Sequence, residues 1–295
     1  MPDLEVEVLA VFGPTGSGKT AVAEALADAL GTEVVSADAM QVYRGLPILT
    51  NQPARRTRLV AIRELGEEMS VGEYARLAHE AIDELVAGRG TAVVAGGTGL
   101  YLRAALSDLE LPPSVPEDTR ERWESLYDQD PTAAFTELRA RDPDAAAMVH
   151  PNDRRRVVRA LELTESGASL AREQDRLWSR DTRRATLVAG LEVPQDVLAR
   201  RVEQRTSEMF DGGLVDEVRA ALDSGPSRTA GKALGLYEAA ELPREEARVA
   251  IVTRTLRYAA YQRKWMRRIP GIVMIDGSQP PAKVADAILQ MARAR

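Results

Sequence analysis

Residues 13–20 read Gly-Pro-Thr-Gly-Ser-Gly-Lys-Thr, between the apolar run Val6–Phe12 and a helical pattern from Ala21 to Leu30. A G-x-x-x-x-G-K-[ST] loop in that setting restricts the fold more than any other stretch of the chain. Gly13, Gly16 and Gly18 let the backbone curl until its N–H groups face inward as an anion cradle, with Pro14, Thr15 and Ser17 completing the loop. Lys19 adds a mobile cation and Thr20 a hydroxyl suited to Mg²⁺. The following helix turns the positive end of its dipole to the same spot. The loop therefore predicts binding of a diphosphate or triphosphate on an α/β scaffold. It leaves the reaction open.

The pattern around the loop supports that scaffold. Strand-like Glu33–Ser36, an amphipathic helix over Val71–Val86 and a buried strand over Thr91–Ala95 alternate, and the last runs into Gly96-Gly97-Thr98-Gly99. Alternation of this kind predicts a parallel sheet covered by helices. It breaks at Leu111-Pro112-Pro113-Ser114-Val115-Pro116, read as a hinge. From Glu117 to about Arg184 every segment reads as helix, with Asp130-Pro131 and Asp142-Pro143 as junctions. Strand character returns at Ala185–Val193 and Gly271–Ile275. The expected organisation is a P-loop NTPase-like α/β core over 1–113 and 185–295, interrupted by an all-helical insertion over 114–184.

Composition narrows the class. With 44% hydrophobic and 28% charged residues the chain reads as soluble, and no apolar run approaches the roughly 20 residues of a membrane span. The acidic start (Asp3, Glu5, Glu7) is unlike a signal peptide, and the absence of cysteine excludes disulfides and thiolate chemistry. A cytoplasmic monomer is expected. His79 and His150, the two histidines, are read as structural. The net charge of −6 argues against indiscriminate nucleic-acid binding, but basic residues are clustered. Arg154, Arg155, Arg156 and Arg159 form one run. Arg254, Arg257, Arg263, Lys264, Arg267 and Arg268 form another, interleaved with Tyr258, Tyr261 and Trp265. Each is either a solvated face or part of an RNA surface.

The strand Thr91–Ala95 ends in glycines where many nucleotide hydrolases have a magnesium-binding acid. The acids available at strand ends are Asp38 and Asp276. Asp38 follows the second strand, at the edge where ligands of open α/β sheets gather. It reads as a general base facing the loop, a carboxylate near magnesium, or a turn cap.

Several separated blocks then resemble the tRNA dimethylallyltransferase family. They are the Gly13–Thr20 loop, Ser36-Ala37-Asp38 through Tyr43-Arg44-Gly45, and Gly96-Gly97-Thr98-Gly99-Leu100-Tyr101-Leu102. Two more are His150-Pro151-Asn152-Asp153 with Arg156 and Arg159-Ala160-Leu161-Glu162, and Gly213-Leu214-Val215-Asp216-Glu217-Val218. The resemblance spans nearly the whole chain. It implies transfer of a dimethylallyl group from dimethylallyl diphosphate to N6 of the adenine 3′ to the anticodon, with Mg²⁺ as cofactor. Under it, Asp38 is the base, Thr15 lies near the reacting centre, and Lys19, Thr20 and Arg205 attend the diphosphate, with Arg201 one turn away. It also implies tRNA contacts at Asp38, Ala39, Met40, Gln41, Thr98, Arg120, Arg155, Arg156, Arg159, Lys232, Gln262, Arg263, Trp265 and Arg267.

The chain departs from the family pattern at Gln52 and Thr57, and where three basic positions are Leu256, Ala260 and Tyr261. The competing readings are an adenylate isopentenyltransferase acting on free nucleotide, a small-molecule P-loop kinase, and an idle RNA-binding relative. Intact Lys19, Thr20 and Asp38 weigh against the last.

Overall fold

The computed structural model describes residues 5–109, 115–171 and 176–294. Asp3, most of the expected hinge and the boundary at 114 lie outside them. The first strand, β1 (Val8–Phe12), leads through the phosphate loop into helix α1 (Lys19–Leu30). β2 (Val34–Ser36), α2 (Val71–Arg89), β3 (Ala92–Gly96) and α3 (Gly99–Leu106) follow. Four helices come next: α4 (Glu117–Gln129), α5 (Pro131–Arg141), α6 (Pro143–Met148) and α7 (Arg154–Glu165). The chain then forms β4 (Thr186–Glu192), α8 (Gln195–Asp211), α9 (Leu214–Asp223), α10 (Leu236–Glu241), α11 (Arg244–Met266), β5 (Val273–Asp276) and α12 (Pro281–Arg293). No helix among the described residues is long and apolar enough to cross a membrane.

The five strands form one parallel sheet in the order β2-β3-β1-β4-β5. Its register positions the site. Phe12 stands opposite both Gly96 and Gly190, and Ser36 opposite Ala95. The loops that leave β1, β2 and β3 therefore emerge side by side at the carboxyl edge, the usual ligand edge of such a sheet. Beneath them Leu9, Val11, Leu26, Val93, Leu187, Leu191 and Ile288 form a core sealed by α1 and α12. Each such side chain contributes about 1.5–3 kcal/mol by leaving water. His79 Nε2 lies 2.9 Å from the Ala104 carbonyl, and His150 Nδ1 accepts from the Asn152 N–H.

Packing divides the chain into two compact units, Met1–Leu109 with Leu177–Arg295, and Glu110–Arg176. Leu177–Arg184, read from sequence as the end of the helical stretch, contains no α-helix and packs with the sheet-bearing unit. The buried Arg103 explains this, because its guanidinium donates to the carbonyls of Leu177 and Ser179. The helical unit is built from α4–α7 around Trp123, Tyr127, Leu138, Val157 and Leu161. Its junctions follow from local chemistry. Asp130 and Asp142 accept from N–H groups in the first turns of α5 and α6, and Pro131 and Pro143 start those helices where no donor is needed.

Candidate active site

The phosphate loop takes the conformation its glycines allow. Gly16 and Gly18 have φ of 85° and 84°, and Gly18 opens α1. Side chains with a Cβ rarely adopt those angles. Loss of solvent around the partly buried Lys19 pushes its pKa down to about 8, opposed by the Asp38 carboxylate and reinforced by Arg205. Burial also lowers the pKa of Arg205, again opposed by Asp38. Two cations and one carboxylate thus share a field. Asp38 is not ion-paired to either cation among the described residues, and its Oδ1 accepts from the Met40 N–H at 2.9 Å.

The glycine turn after β3 is a site of close approach. A Cβ on Gly96 would lie 2.0 Å from the Ala37 carbonyl oxygen, and one on Gly97 2.3 Å from the Gln262 side chain. Gln262 explains why the turn and the phosphate loop stay together. Its Oε1 accepts from the Thr15 N–H at 2.8 Å, and its Nε2 donates to the Gly97 carbonyl at 2.9 Å. Gly99 lies under the ring of Trp265, which in turn packs on Trp178.

Helix α8 supplies the other wall. Arg201 donates to the Gly16 carbonyl at 3.2 Å, so it braces the loop backbone. Arg205, Thr15, Asp38 and Tyr258 line a cleft together with Thr50, Thr206, Thr255, Met40, Leu49, Met209, Leu234 and Ile251. Glu217, in the first turn of α9, fixes the Leu49 side by accepting from the N–H groups of Ile48 and Leu49, both at 2.8 Å. A carboxylate, a guanidinium and several hydroxyls share this cleft with an apolar wall, a common form of small-molecule site.

The residues read as tRNA contacts divide into distinct groups. Met40 lines the cleft, and the Thr98 hydroxyl lies 3.4 Å from the Ala39 N–H. Gln41 and Gln262 have amides already engaged within the protein. Gln41 accepts from Ser36 and donates to the Asn51 carbonyl, and Gln262 is buried as described. Lys232 and Arg267 are exposed, and Arg263 is half-buried.

In the helical unit, Arg120 and Arg159 both hydrogen-bond the buried Glu162 carboxylate, which their donation keeps below the usual carboxylate range despite its burial. Arg155 and Arg156 project exposed from the start of α7, with no ion pair among the described residues. Of the departures, Gln52 donates to the Tyr43 carbonyl and Thr57 to the Arg55 carbonyl. Leu256 packs with Leu198, Val202 and Ala259, while Ala260 and Tyr261 face solvent.

Sequence reasoning missed the clamp role of Gln262, the brace of Glu217, and the apolar lining from Met209, Leu234 and Ile251. For Gln262 a signal existed. It lies on the stripe Ile251, Thr255, Ala259, Gln262, Met266, the buried face of α11, where an amide needs partners.

A phosphate loop at the edge of a parallel sheet, with the Asp38 carboxylate and the desolvated Lys19 and Arg205 in one field, is the arrangement of an enzyme with a P-loop nucleotide-binding fold. Residues 41–269 match the IPP transferase family. A tRNA dimethylallyltransferase of Corynebacterium jeikeium is 38% identical over 97% of this chain and 96% of its own length. The solved full-length tRNA isopentenylpyrophosphate transferase of Bacillus halodurans aligns with a TM-score of 0.68 and 29% identity, over 98% of this chain and 95% of that one. A eukaryotic dimethylallyltransferase, solved acting on tRNA, aligns with a TM-score of 0.76 and 26% identity, over 92% of this chain and 73% of that one. The chain belongs to the IPP transferase family.

Proposed function

We propose that the chain transfers a dimethylallyl group from dimethylallyl diphosphate to N6 of the adenine immediately 3′ to the anticodon of tRNA, releasing diphosphate. The observation that carries this is that Asp38, Arg205 and Thr15 line one cleft, partly walled by Met40, Leu49, Met209, Leu234 and Ile251, while Lys19 of the phosphate loop lies in the field of both Asp38 and Arg205. Loop N–H groups, Lys19 and Arg205 bind the diphosphate, and the apolar lining suits a five-carbon prenyl group. As the exocyclic nitrogen attacks the allylic carbon, the carbon–oxygen bond to diphosphate breaks. The nitrogen becomes acidic as its new bond forms, and its proton passes to Asp38. Charge developing on the departing diphosphate is met by donors already in place.

Magnesium fits this loop together with the diphosphate and not as a site made by protein alone. Thr20 offers one hydroxyl, and the described residues contain no cluster of three or more acidic, histidine or cysteine side chains. That donor set suits an ion that takes most of its oxygens from substrate and water. When bound it would neutralise part of the diphosphate charge.

An adenine stacked in a loop must swing out to reach Asp38, which costs a few kcal/mol. Exposed Arg155 and Arg156 in the helical unit, with Lys232, Arg263 and Arg267, support phosphate contacts that offset it. A free nucleotide needs none of these. Initial rates on an anticodon stem-loop and on AMP, at matched concentration with dimethylallyl diphosphate, test the acceptor. Faster modification of the stem-loop is expected. Faster modification of AMP would assign the chain to the free-nucleotide reading.

A further inference from the structure

The solvent face of α11 carries Arg254, Arg257, Tyr258, Tyr261 and Lys264, spaced three and four residues apart. The rings of Tyr258 and Tyr261 lie nearly parallel, 25° between planes, with centroids 6.4 Å apart. Both are open to solvent, Tyr258 to 37% and Tyr261 to 55%. Tyr258 also lines the cleft that contains Asp38, and its hydroxyl is 3.5 Å from that of Thr98. The aromatic face is therefore continuous with the acceptor site. Arg257 and Lys264 flank it, while Arg254 is held by Glu238.

Resting on the RNA-acceptor reading above, we propose that Tyr261, backed by Tyr258, is a stacking platform for the nucleotide beside the flipped adenine. A single-stranded base offers a π-face to such a pair whatever its identity, and its phosphates reach cations on either side. The face suits single-stranded RNA better than an apolar partner, because charge flanks its aromatic centre. At position 261, where the family resemblance implies a basic side chain, this chain would hold RNA by stacking instead of charge.

The test is binding of a fluorescent anticodon stem-loop across a salt series, with KM and kcat for the same RNA. Tyr261→Ala should weaken binding about tenfold. The slope of log affinity against log salt should stay unchanged, and KM should rise more than kcat falls. Tyr261→Phe and Tyr261→Trp should keep the affinity. Tyr261→Arg should steepen the salt slope by about 0.7–0.9. Unaltered affinity in Tyr261→Ala would overturn the platform, as would an equal loss in Tyr261→Phe, which would make the hydroxyl the contact. Failure of the unaltered protein to bind the stem-loop would overturn the acceptor reading as well, so the two failures are distinguishable.

Discussion

The phosphate-loop site and helix α7 each set two cations around one carboxylate, and they use the arrangement in opposite ways. In α7, Glu162 is buried and directly bonded by Arg120 and Arg159, so its charge is satisfied and the trio acts as a strut. In the cleft, Asp38 bonds to the Met40 N–H and is paired with neither Lys19 nor Arg205, although both feel its field. Charges held near one another but unpaired, at the edge of a sheet, are available to a ligand. The difference teaches that a charged cluster marks a site by what its members leave unsatisfied, not by how many they are.

Substitutions on the two carboxylates should separate these uses. Asp38→Asn keeps shape and loses the proton acceptor, so turnover should fall by about 10²–10⁴ while diphosphate and stem-loop binding persist. Near-normal turnover would make Asp38 structural. Lys19→Ala should cost about 10²–10³ in rate and most diphosphate affinity with the fold intact. Unchanged diphosphate affinity in a folded variant would move the site elsewhere.

Glu162→Gln should act the other way. It leaves Arg120 and Arg159 without their counter-charge and should lower stability by about 1–3 kcal/mol, read from denaturant unfolding. Residual turnover at saturating RNA should be far above that of Asp38→Asn. Full stability would show that the trio is no strut.

The Lys19 pKa of about 8, below its ordinary value, gives a pH test. The folded, ligand-free protein disfavours the ammonium, so this unfavourable contribution is present below pH 8 and fades between 8 and the unfolded value of 10.5. Diphosphate favours the ammonium and draws a proton in. Affinity should therefore fall by up to about tenfold per pH unit above 8. Calorimetry in buffers of different ionisation enthalpy reads the proton uptake, with Lys19→Arg as the control that does not titrate in this range. Equal uptake by both would place the proton elsewhere.

The smallest effect belongs to exposed cations. Neutralising Arg155 and Arg156 should flatten the salt slope of RNA binding by about 0.7–0.9 for each lost phosphate contact, with little effect on the melting temperature. A melting temperature that falls as far as in Glu162→Gln would mean that these arginines too belong to the internal framework.

The parts of the molecule written in local sequence were legible. The phosphate loop follows from its glycines and Lys19, and the starts of α5 and α6 from Asp-Pro pairs that cap them. Asp38 was visible as an acid at a strand end, although its neighbours Arg205 and Lys19 come from α8 and α1. What stayed hidden depends on contacts far apart in the chain. Gln262 stands out on the buried stripe of α11 as an amide in need of partners, but the partners themselves, Thr15 and Gly97, are far away in the chain. Leu177–Arg184 carries no signal of its attachment, because that attachment comes from Arg103 on α3.

The most direct measurement is mass spectrometry of nucleosides from tRNA incubated with the protein and dimethylallyl diphosphate. Adenosine carrying one added five-carbon prenyl group on N6, next to the anticodon on its 3′ side, is expected with the unaltered protein and not with Asp38→Asn. Unmodified adenosine throughout, from a protein that binds both diphosphate and stem-loop, would contradict prenyl transfer as the use of this cleft.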